Sequence, residues 1–336
     1  GLKAAVEKHG PESVGVFLYP DVTNEEMYLA GRIAREGLGT NNITSIAVLE
    51  TGGKSGALDE SFGFTASTAD RTALRDADLI ICNNIDPQNY FLILGTEIID
   101  AAKSGAKLIV TGSTKQALVD LADLYVDPMR GTAARLWNCI TRALIEEGHF
   151  PREAVEKMPG GKAFLAHITA YDADTTCQIT GVEFGQSHKA AEMIAAAKKV
   201  VLVHSPDRSR DLAPGDLQVM ANLALLIRAS GGSSQMILPS LAANGAGIEI
   251  CGADPKFTVG RAPANGLPGA KTREELFGML REGKIKASLV ISEDPMSTDR
   301  VASYFGGVEF LYAVDWAQTE TTLFADVAIP GSSFLE

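Results

Sequence analysis

The stretch ADLIICNNIDPQNYFLILGTEIIDAAKSGAKLIVTGS, residues 77–113, decides the fold class of this chain. It contains two short apolar runs, residues 79–82 and 107–110, which are separated by a helix-like segment at residues 94–102. This order predicts a β-α-β unit with a parallel pair of strands. Because parallel sheets bind ligands at the carboxyl ends of their strands, the polar residues that follow each run are candidate binding positions.

The same pattern of an apolar run followed by a polar turn recurs along the chain. Residues 14–18, 199–204 and 287–292 are further short apolar runs, and the last two lead into turns that contain aspartate and proline. The intervals between the runs are unequal, which argues against a repeat solenoid. We therefore predict an α/β fold with doubly wound, mostly parallel sheets.

Composition excludes several classes of protein. A chain of 336 residues is longer than one core usually holds, so two lobes are expected. The net charge is −12 and no basic stripe is present, so nucleic acid is not an expected partner. No apolar run approaches roughly 18 residues, so direct membrane insertion is not expected. The cysteines show no C-x-x-C spacing, so no metal site is predicted from a local motif.

The order of the elements also predicts the division into lobes. We expect a discontinuous first lobe, residues 1–60 and 187–336, and an inserted second lobe, residues 61–186. Residues 236–269 are rich in glycine and proline, and so long a loop is usually functional. The sequence starts within an amphipathic helix and stops without a terminal element, so we expect a fragment of a longer polypeptide.

A series of short motifs runs along nearly the whole chain. In this order and spacing, the motifs resemble the α/β core of the molybdopterin oxidoreductase superfamily, which includes formate dehydrogenases, periplasmic nitrate reductases and the large iron–sulfur subunit of respiratory complex I. The motifs are Thr23-Asn24-Glu25-Glu26, Gly39-Thr40-Asn41-Asn42, Asp76-Ala77-Asp78-Leu79-Ile80, residues 101–107, Leu121-Ala122-Asp123, Gly131-Thr132, residues 244–247, Thr319-Glu320-Thr321 and Ala325-Asp326-Val327.

The resemblance implies two α/β lobes, one inserted in the other, with pterin-guanine dinucleotides at the strand ends. It also implies a cysteine, selenocysteine or serine that coordinates molybdenum or tungsten, and an iron–sulfur domain upstream. The positions of this chain that match the family's pterin cleft are Asn83, Asn84, Gly112, His204, Asn244 and Asp294.

The sequence departs from the family where the metal and the nucleotide are held. The metal ligand should fall in residues 46–54, which contain neither Cys nor Ser, and Glu50 and Thr51 are the nearest polar side chains. The family's Asp-Pro-Arg is here Thr111-Gly112-Ser113, and its Gly-Thr-Asp is here Gly131-Thr132-Ala133. Asp294 replaces an asparagine, and its negative charge would repel a pyrophosphate.

These departures predict a non-catalytic scaffold without catalytic residues, metal or cofactor of its own. The expected context is the large iron–sulfur subunit (75 kDa type) of bacterial NADH:quinone oxidoreductase, with its iron–sulfur clusters upstream. Other subunits of that membrane-associated complex would be its partners, and they would hold it at the cytoplasmic face of the inner membrane. Two alternatives remain open: the catalytic core of a formate dehydrogenase-like enzyme with molybdopterin guanine dinucleotide, and a pterin fold reused to bind a nucleotide or a partner protein.

Overall fold

The computed structural model describes residues 1–47, 58, 61–64, 66–87, 89–112, 117–205, 215–239, 242–264 and 266–333. The chain forms two compact units. Unit 1 comprises Gly1–Gly52 and Ala242–Glu336, and unit 2 comprises Gly53–Leu241. One unit is thus inserted in the other, but the chain returns to unit 1 at residue 242 and not at residue 187, where the sequence placed the boundary.

The elements follow one another as alternating strands and helices, with three short helices in succession between residues 152 and 180. The strands are β1 (Val14–Leu18), β2 (Ile43–Thr44), β3 (Leu79–Asn83), β4 (Lys107–Thr111), β5 (Leu124–Val126), β6 (Lys199–His204), β7 (Ser233–Ile237), β8 (Ala287–Ile291), β9 (Phe310–Asp315) and β10 (Val327–Pro330). The α-helices are α1 (Leu2–His9), α2 (Asn24–Arg32), α3 (Leu92–Lys103), α4 (Ala133–Glu146), α5 (Arg152–Lys157), α6 (Gly161–Ile168), α7 (Ala173–Thr180), α8 (Phe184–Ala196), α9 (Asp216–Ala229), α10 (Gly247–Ile250), α11 (Arg273–Arg281), α12 (Asp299–Ala302) and α13 (Glu320–Phe324).

Each unit contains one five-stranded sheet whose strand pairs are all parallel. The order is β10-β9-β8-β1-β2 in unit 1 and β5-β4-β3-β6-β7 in unit 2. The strand order reverses direction between β1 and β8 in the first sheet and between β3 and β6 in the second. These are doubly wound sheets, which confirms the predicted fold class.

Strand β6 corrects the predicted division into lobes. The sequence assigned residues 199–204 to the first lobe, but β6 pairs with β3 in unit 2, with Ile81 opposite Leu202. The chain therefore remains in unit 2 after the short helices and does not return to unit 1 there. A strand covered on both faces is apolar throughout, so its sequence carries no preference for one of two similar sheets.

Alternation along β3 places its side chains in two separate cores. Leu79 and Ile81 pack with residues of α4, α8 and α9 on one face, whereas Ile80 and Cys82 pack with residues of α3 on the other. This is the period of two that a pleated strand imposes. Asn83 follows Leu79 and Ile81 in that alternation, so its side chain continues the face that is covered by α4.

Side-chain caps mark the starts of α2 and α11. The side chain of Thr23 accepts a hydrogen bond from the Glu26 backbone, and the Glu26 carboxylate accepts one in return from the Thr23 N–H at 2.7 Å. This capping box satisfies two amide groups that the first turn of α2 would leave unpaired. At α11, Thr272 caps the Glu275 N–H, but the Glu275 carboxylate accepts from Lys271 N instead of closing the box.

Buried polar groups hold much of the long segment that was predicted to be a functional loop. The Arg35 guanidinium donates to the carbonyls of Gly252, Asp254 and Phe257 at 2.5–2.9 Å. The Glu249 carboxylate lies 3.2 Å from Arg261 and 3.0 Å from Arg273. A structural role therefore accounts for much of this segment's composition.

Candidate ligand site at the strand ends

The topology of unit 2 marks one crevice as the candidate site. Ligands of doubly wound sheets bind at the carboxyl ends of the strands, at the point where the strand order reverses. In unit 2 this point lies between β3 and β6, which end in Asn83 and His204, and these two residues lie opposite each other in the strand register. The next residues along the chain are Asn84 and Ser205.

Asn83 connects three strands and a helix. The hydroxyl of Thr111, the last residue of β4, donates to Asn83 Oδ1 at 2.6 Å, and Trp137 Nε1 of α4 donates to the same oxygen at 3.1 Å. Two donors fix the orientation of the amide, so Asn83 Nδ2 faces His204 Nδ1, 3.1 Å away. Both Asn83 and His204 are 0% exposed, and Trp137 is fully buried above them.

His204 Nδ1 has two neighbours that require opposite protonation states. It lies 3.1 Å from Asn83 Nδ2, from which it can accept a hydrogen bond, and 3.1 Å from the Asn83 carbonyl oxygen, to which it can donate one. Only one of these hydrogen bonds forms at a time. Either tautomer ties β6 to β3, so the geometry gives His204 a bracing role at the strand ends.

The turn after β3 is held in an uncommon backbone conformation. Asn84 has a φ of 52°, in the left-handed region, and its N–H donates to the Thr111 carbonyl at 2.9 Å. Gly112 follows β4 with a φ of 152°, and a Cβ at that position would lie 3.2 Å from Asn84 Oδ1. Glycine is therefore required where Gly112 passes close to Asn84.

The two remaining predicted site residues lie in unit 1 and are engaged in internal hydrogen bonds. Asp294 Oδ1 accepts from the Thr321 N–H at 2.9 Å and from its hydroxyl at 2.6 Å. Asn244 Nδ2 donates to the Val22 carbonyl at 3.0 Å and to Asn24 Oδ1 at 2.9 Å. The structure thus brings together Asn83, Asn84, Gly112 and His204, but Asn244 and Asp294 belong to the other unit.

The neighbour of Asp294, Glu293, anchors the segment in which the sequence placed the metal ligand. Its buried carboxylate accepts from Ser45 Oγ at 3.1 Å and from Ala47 N at 2.7 Å. Glu293 therefore fixes the chain where it leaves β2. Glu50 and Thr51 lie outside the residues that the structure describes.

Ser205 is a polar residue after an apolar run, as the sequence analysis expects of binding positions, but it is not among the six residues named for the site. It directly follows β6 and is 0% exposed, and its hydroxyl has no hydrogen-bond partner among the described residues. A buried hydroxyl without a partner costs about 1–3 kcal/mol, so it requires an explanation. The position of Ser205 immediately after an apolar run was the one signal in the sequence.

Neither the described cysteines nor the acidic and histidine side chains form a metal centre. In the described ranges, no three His, Cys, Asp or Glu side chains are placed to bind an ion. Burial raises the pKa of the Cys82 thiol to about 12, and burial likewise raises the pKa of Cys139, Cys177 and Cys251. These thiols are therefore poor nucleophiles and poor metal ligands near neutral pH. No helix of the described part is long and apolar enough to cross a bilayer.

A second concave surface in unit 2 lies apart from the predicted residues. This groove, with a volume of about 620 Å³, is bounded by Asp70 and Arg71, by residues 89–94 at the start of α3, and by residues 237–239 after β7. None of the six predicted site residues lines it.

The family follows from comparison of the whole sequence. The sequence profile of the molybdopterin oxidoreductase family matches residues 1–336. The chain belongs to this family. Acetylene hydratase from Pelobacter acetylenicus has the same fold, with a TM-score of 0.77 at 20% identity over 100% of this chain and 51% of that chain. The resemblance deduced from the motifs is therefore confirmed at the level of the family.

Two curated relatives show which proteins this chain resembles in sequence. Formate dehydrogenase H of Escherichia coli K12 is 26% identical over 360 aligned residues, which cover 100% of this chain and 50% of the relative. NADPH-Fe(3+) oxidoreductase subunit alpha of Geobacter sulfurreducens is 25% identical over 352 aligned residues, which cover 98% of this chain and 41% of the relative. The chain thus spans half of these relatives or less. The narrower assignment to a complex I subunit stays a prediction.

The described strand ends of unit 2 contain one polar group with which the organic part of a pterin dinucleotide, the family's cofactor, could form a hydrogen bond. Ser205 offers a buried hydroxyl that no described protein group uses, whereas Asn83 and His204 are already engaged with each other and with their neighbours. No metal ligand can be assigned, because residues 48–54 lie outside the described part. That this portion carries no cofactor stays a prediction.

Proposed function

We propose that this chain is the α/β portion of a formate dehydrogenase-like oxidoreductase subunit that carries a pterin cofactor at its strand ends. One observation carries the proposal: the family profile matches the whole chain, and formate dehydrogenase H aligns with all of it. The geometry is consistent with this role, because each unit offers the crevice of a doubly wound sheet.

The residues of this chain would supply binding and rigidity. When bound, the cofactor supplies two-electron redox chemistry at its metal. Ser205 would form a hydrogen bond with a polar group of the cofactor. The hydrogen bonds that Asn83 accepts from Thr111 and Trp137 would hold the strand ends in a single conformation. Such preorganisation avoids an entropic cost on binding.

A non-catalytic scaffold is the second candidate, and a specific observation favours it. The side chains at four predicted contact positions are engaged internally, namely Asn83, His204, Asn244 and Asp294, and residues 46–54 contain no Cys or Ser. A scaffold of this kind could belong to an NADH:quinone oxidoreductase, with other subunits as its partners.

Metal and pterin content separate the two candidates. The full-length protein, purified without oxygen, would be analysed for molybdenum and tungsten by mass spectrometry and for released pterin by fluorescence. Formate-dependent reduction of a viologen dye would be measured on the same sample. A formate dehydrogenase-like enzyme would show metal near one equivalent, pterin near two equivalents and formate-dependent turnover. Folded protein without metal, pterin or turnover would contradict the proposal and favour the scaffold.

A further inference from the structure

The last strand of the unit 1 sheet is exposed on both of its faces. All four residues of β10 are exposed, whereas β1, β2 and β8 are buried along almost their whole length. Strands of a parallel sheet are normally covered on both faces, because helices pack on either side of the sheet. Among the described residues, this cover does not extend to β10.

Large apolar side chains surround the exposed strand. Those that the described structure exposes between residues 316 and 329, here called the β10 surface, are Trp316, Leu323, Phe324, Val327 and Ile329. They lie after β9, on α13 and on β10, and these three elements contact one another. Exposed apolar side chains that are concentrated in this way mark an interaction site.

The backbone at the outer edge of β10 is also open. In the described ranges β10 pairs with β9 alone, in a regular register, so its other side has no strand partner. Edge strands are normally protected by charged side chains, bulges or proline, and β10 has only Pro330, at its end. The edge at residues 327–329 can therefore pair with a further strand.

Length and charge favour a segment of the same polypeptide over a second copy of the chain. The alignment covers 50% of formate dehydrogenase H, so that relative contains as much polypeptide again. Each copy of this chain has a net charge of −12, and Glu320 and Asp326 are exposed beside the β10 surface, so like charges would oppose the association of two copies. A segment of the same molecule also has a high effective concentration at this surface.

We propose that, in the full-length protein, a segment of the same polypeptide outside residues 1–336 covers the β10 surface and adds a strand to the outer edge of β10. The added strand should carry apolar side chains on both faces, as β1 and β8 do. The proposal concerns unit 1 alone and depends neither on the cofactor nor on the redox activity of the proposed function.

Photo-crosslinking in the full-length protein identifies what covers the β10 surface. Phe324→p-benzoylphenylalanine keeps an aromatic ring at a position that is 73% exposed in the described structure. After irradiation we expect a cross-link within one molecule, which peptide mass spectrometry should map to a residue outside 1–336. Cross-links found only to a second copy, to another protein or within residues 1–336 would overturn the proposal.

The accessibility of a cysteine at the same surface provides a second measurement. Leu323→Cys is the test variant, and Leu29→Cys is its matched control, because Leu29 is an exposed leucine on α2 of the same unit. In the full-length protein, iodoacetamide should label position 29 about tenfold faster than position 323, because a covered side chain reacts only after local opening. This order is the reverse of that expected from the described structure alone, in which Leu323 is the more exposed of the two.

The concentration dependence separates a segment of the same molecule from a second copy. Protection of position 323 should persist on dilution of the purified protein, and light scattering should show no change in molecular mass. Equal labelling rates at positions 29 and 323 would overturn the proposal, as would protection that is lost on dilution. Formate turnover enters neither readout, so the proposed function and this inference can fail independently.

Discussion

Asn84 and Ser292 occupy equivalent positions in the two units. Each directly follows the central strand of its sheet, with φ values of 52° and 50°, and each is followed two residues later by an Asp-Pro pair. Asn84 donates its N–H to the Thr111 carbonyl at 2.9 Å, and Ser292 donates to the Val314 carbonyl at 2.8 Å. Both sheets thus use one left-handed residue to direct the chain away from the end of the central strand.

The first prediction concerns the strain at these two turns. Ser292→Gly should raise the free energy of unfolding by about 1 kcal/mol, because a left-handed conformation costs an L-residue about that much. Asn84→Gly should raise the free energy of unfolding by a smaller amount, because asparagine tolerates the left-handed conformation better than serine does. Urea unfolding followed by circular dichroism measures both effects. Ser104→Gly, at a φ of −82° after α3, is the control and should not stabilise. Equal effects at residues 104 and 292 would contradict the argument from φ.

The second prediction concerns the amide of Asn83. Asn83→Ala leaves the Thr111 hydroxyl and the Trp137 indole N–H buried without their acceptor, so it should lower the free energy of unfolding by about 3 kcal/mol or more. Thr111→Val removes only one donor and should cost about 1 kcal/mol. Tryptophan fluorescence during denaturation reports on Trp137 when the exposed Trp316 is replaced by phenylalanine in every variant. If Asn83→Ala costs no more than Thr111→Val, the shared acceptor does not have the role that we assign to it.

The third prediction concerns Cys82 and pH. Burial raises the pKa of its thiol to about 12 in the folded chain, whereas a thiol in an unfolded chain titrates near ~8.5. At pH values below the pKa of the unfolded thiol, both states hold the proton and stability is unaffected. Above that pKa the unfolded state loses the proton first, so the free energy of unfolding should fall by about 1.4 kcal/mol per pH unit until the pH reaches the pKa of the folded state.

Comparison with Cys82→Ala isolates this contribution, because all other titrating groups are shared by the two proteins. The wild type should be more stable than Cys82→Ala at pH 8, and this difference in the free energy of unfolding should become steadily smaller as the pH is raised to 10. In the native wild type, iodoacetamide at pH 8 should leave Cys82 unmodified, as peptide mass spectrometry would show. A pH-independent difference, or rapid labelling of Cys82, would refute the assigned burial.

The fourth prediction concerns the ionic cluster of unit 1. Glu249 lies between Arg261 and Arg273, and its carboxylate is only 7% exposed. Glu249→Gln keeps the volume but removes a carboxylate that two partly buried guanidinium groups share, and Arg273 keeps its ion pair with Asp254, so it should cost about 2 kcal/mol of stability. The control is Glu36→Gln, which breaks the solvent-exposed Arg32–Glu36 pair at the end of α2 and should have a much smaller effect. Comparable losses in the two variants would show that burial does not determine the strength of this cluster.

Several strand boundaries were predictable because the local pattern was complete. Strands β1 and β6 begin and end where the apolar runs do, and β3 and β4 extend one residue further, to Asn83 and Thr111. Strands β2, β5 and β7 were missed. The first two have only two and three residues, and β7 reads SSQMI, in which polar residues at the edge of the sheet hide the pattern.

The sequence by itself determined the fold class and the family, because short apolar runs and short motifs can be read locally and their order along the chain needs no knowledge of contacts. The tertiary structure alone decided which sheet receives β6 and what the strand-end side chains contact. An apolar strand covered on both faces is compatible with either sheet, so its partner is selected by packing. Asn83 and His204 are 121 residues apart, and only the register of β3 against β6 makes them hydrogen-bond partners.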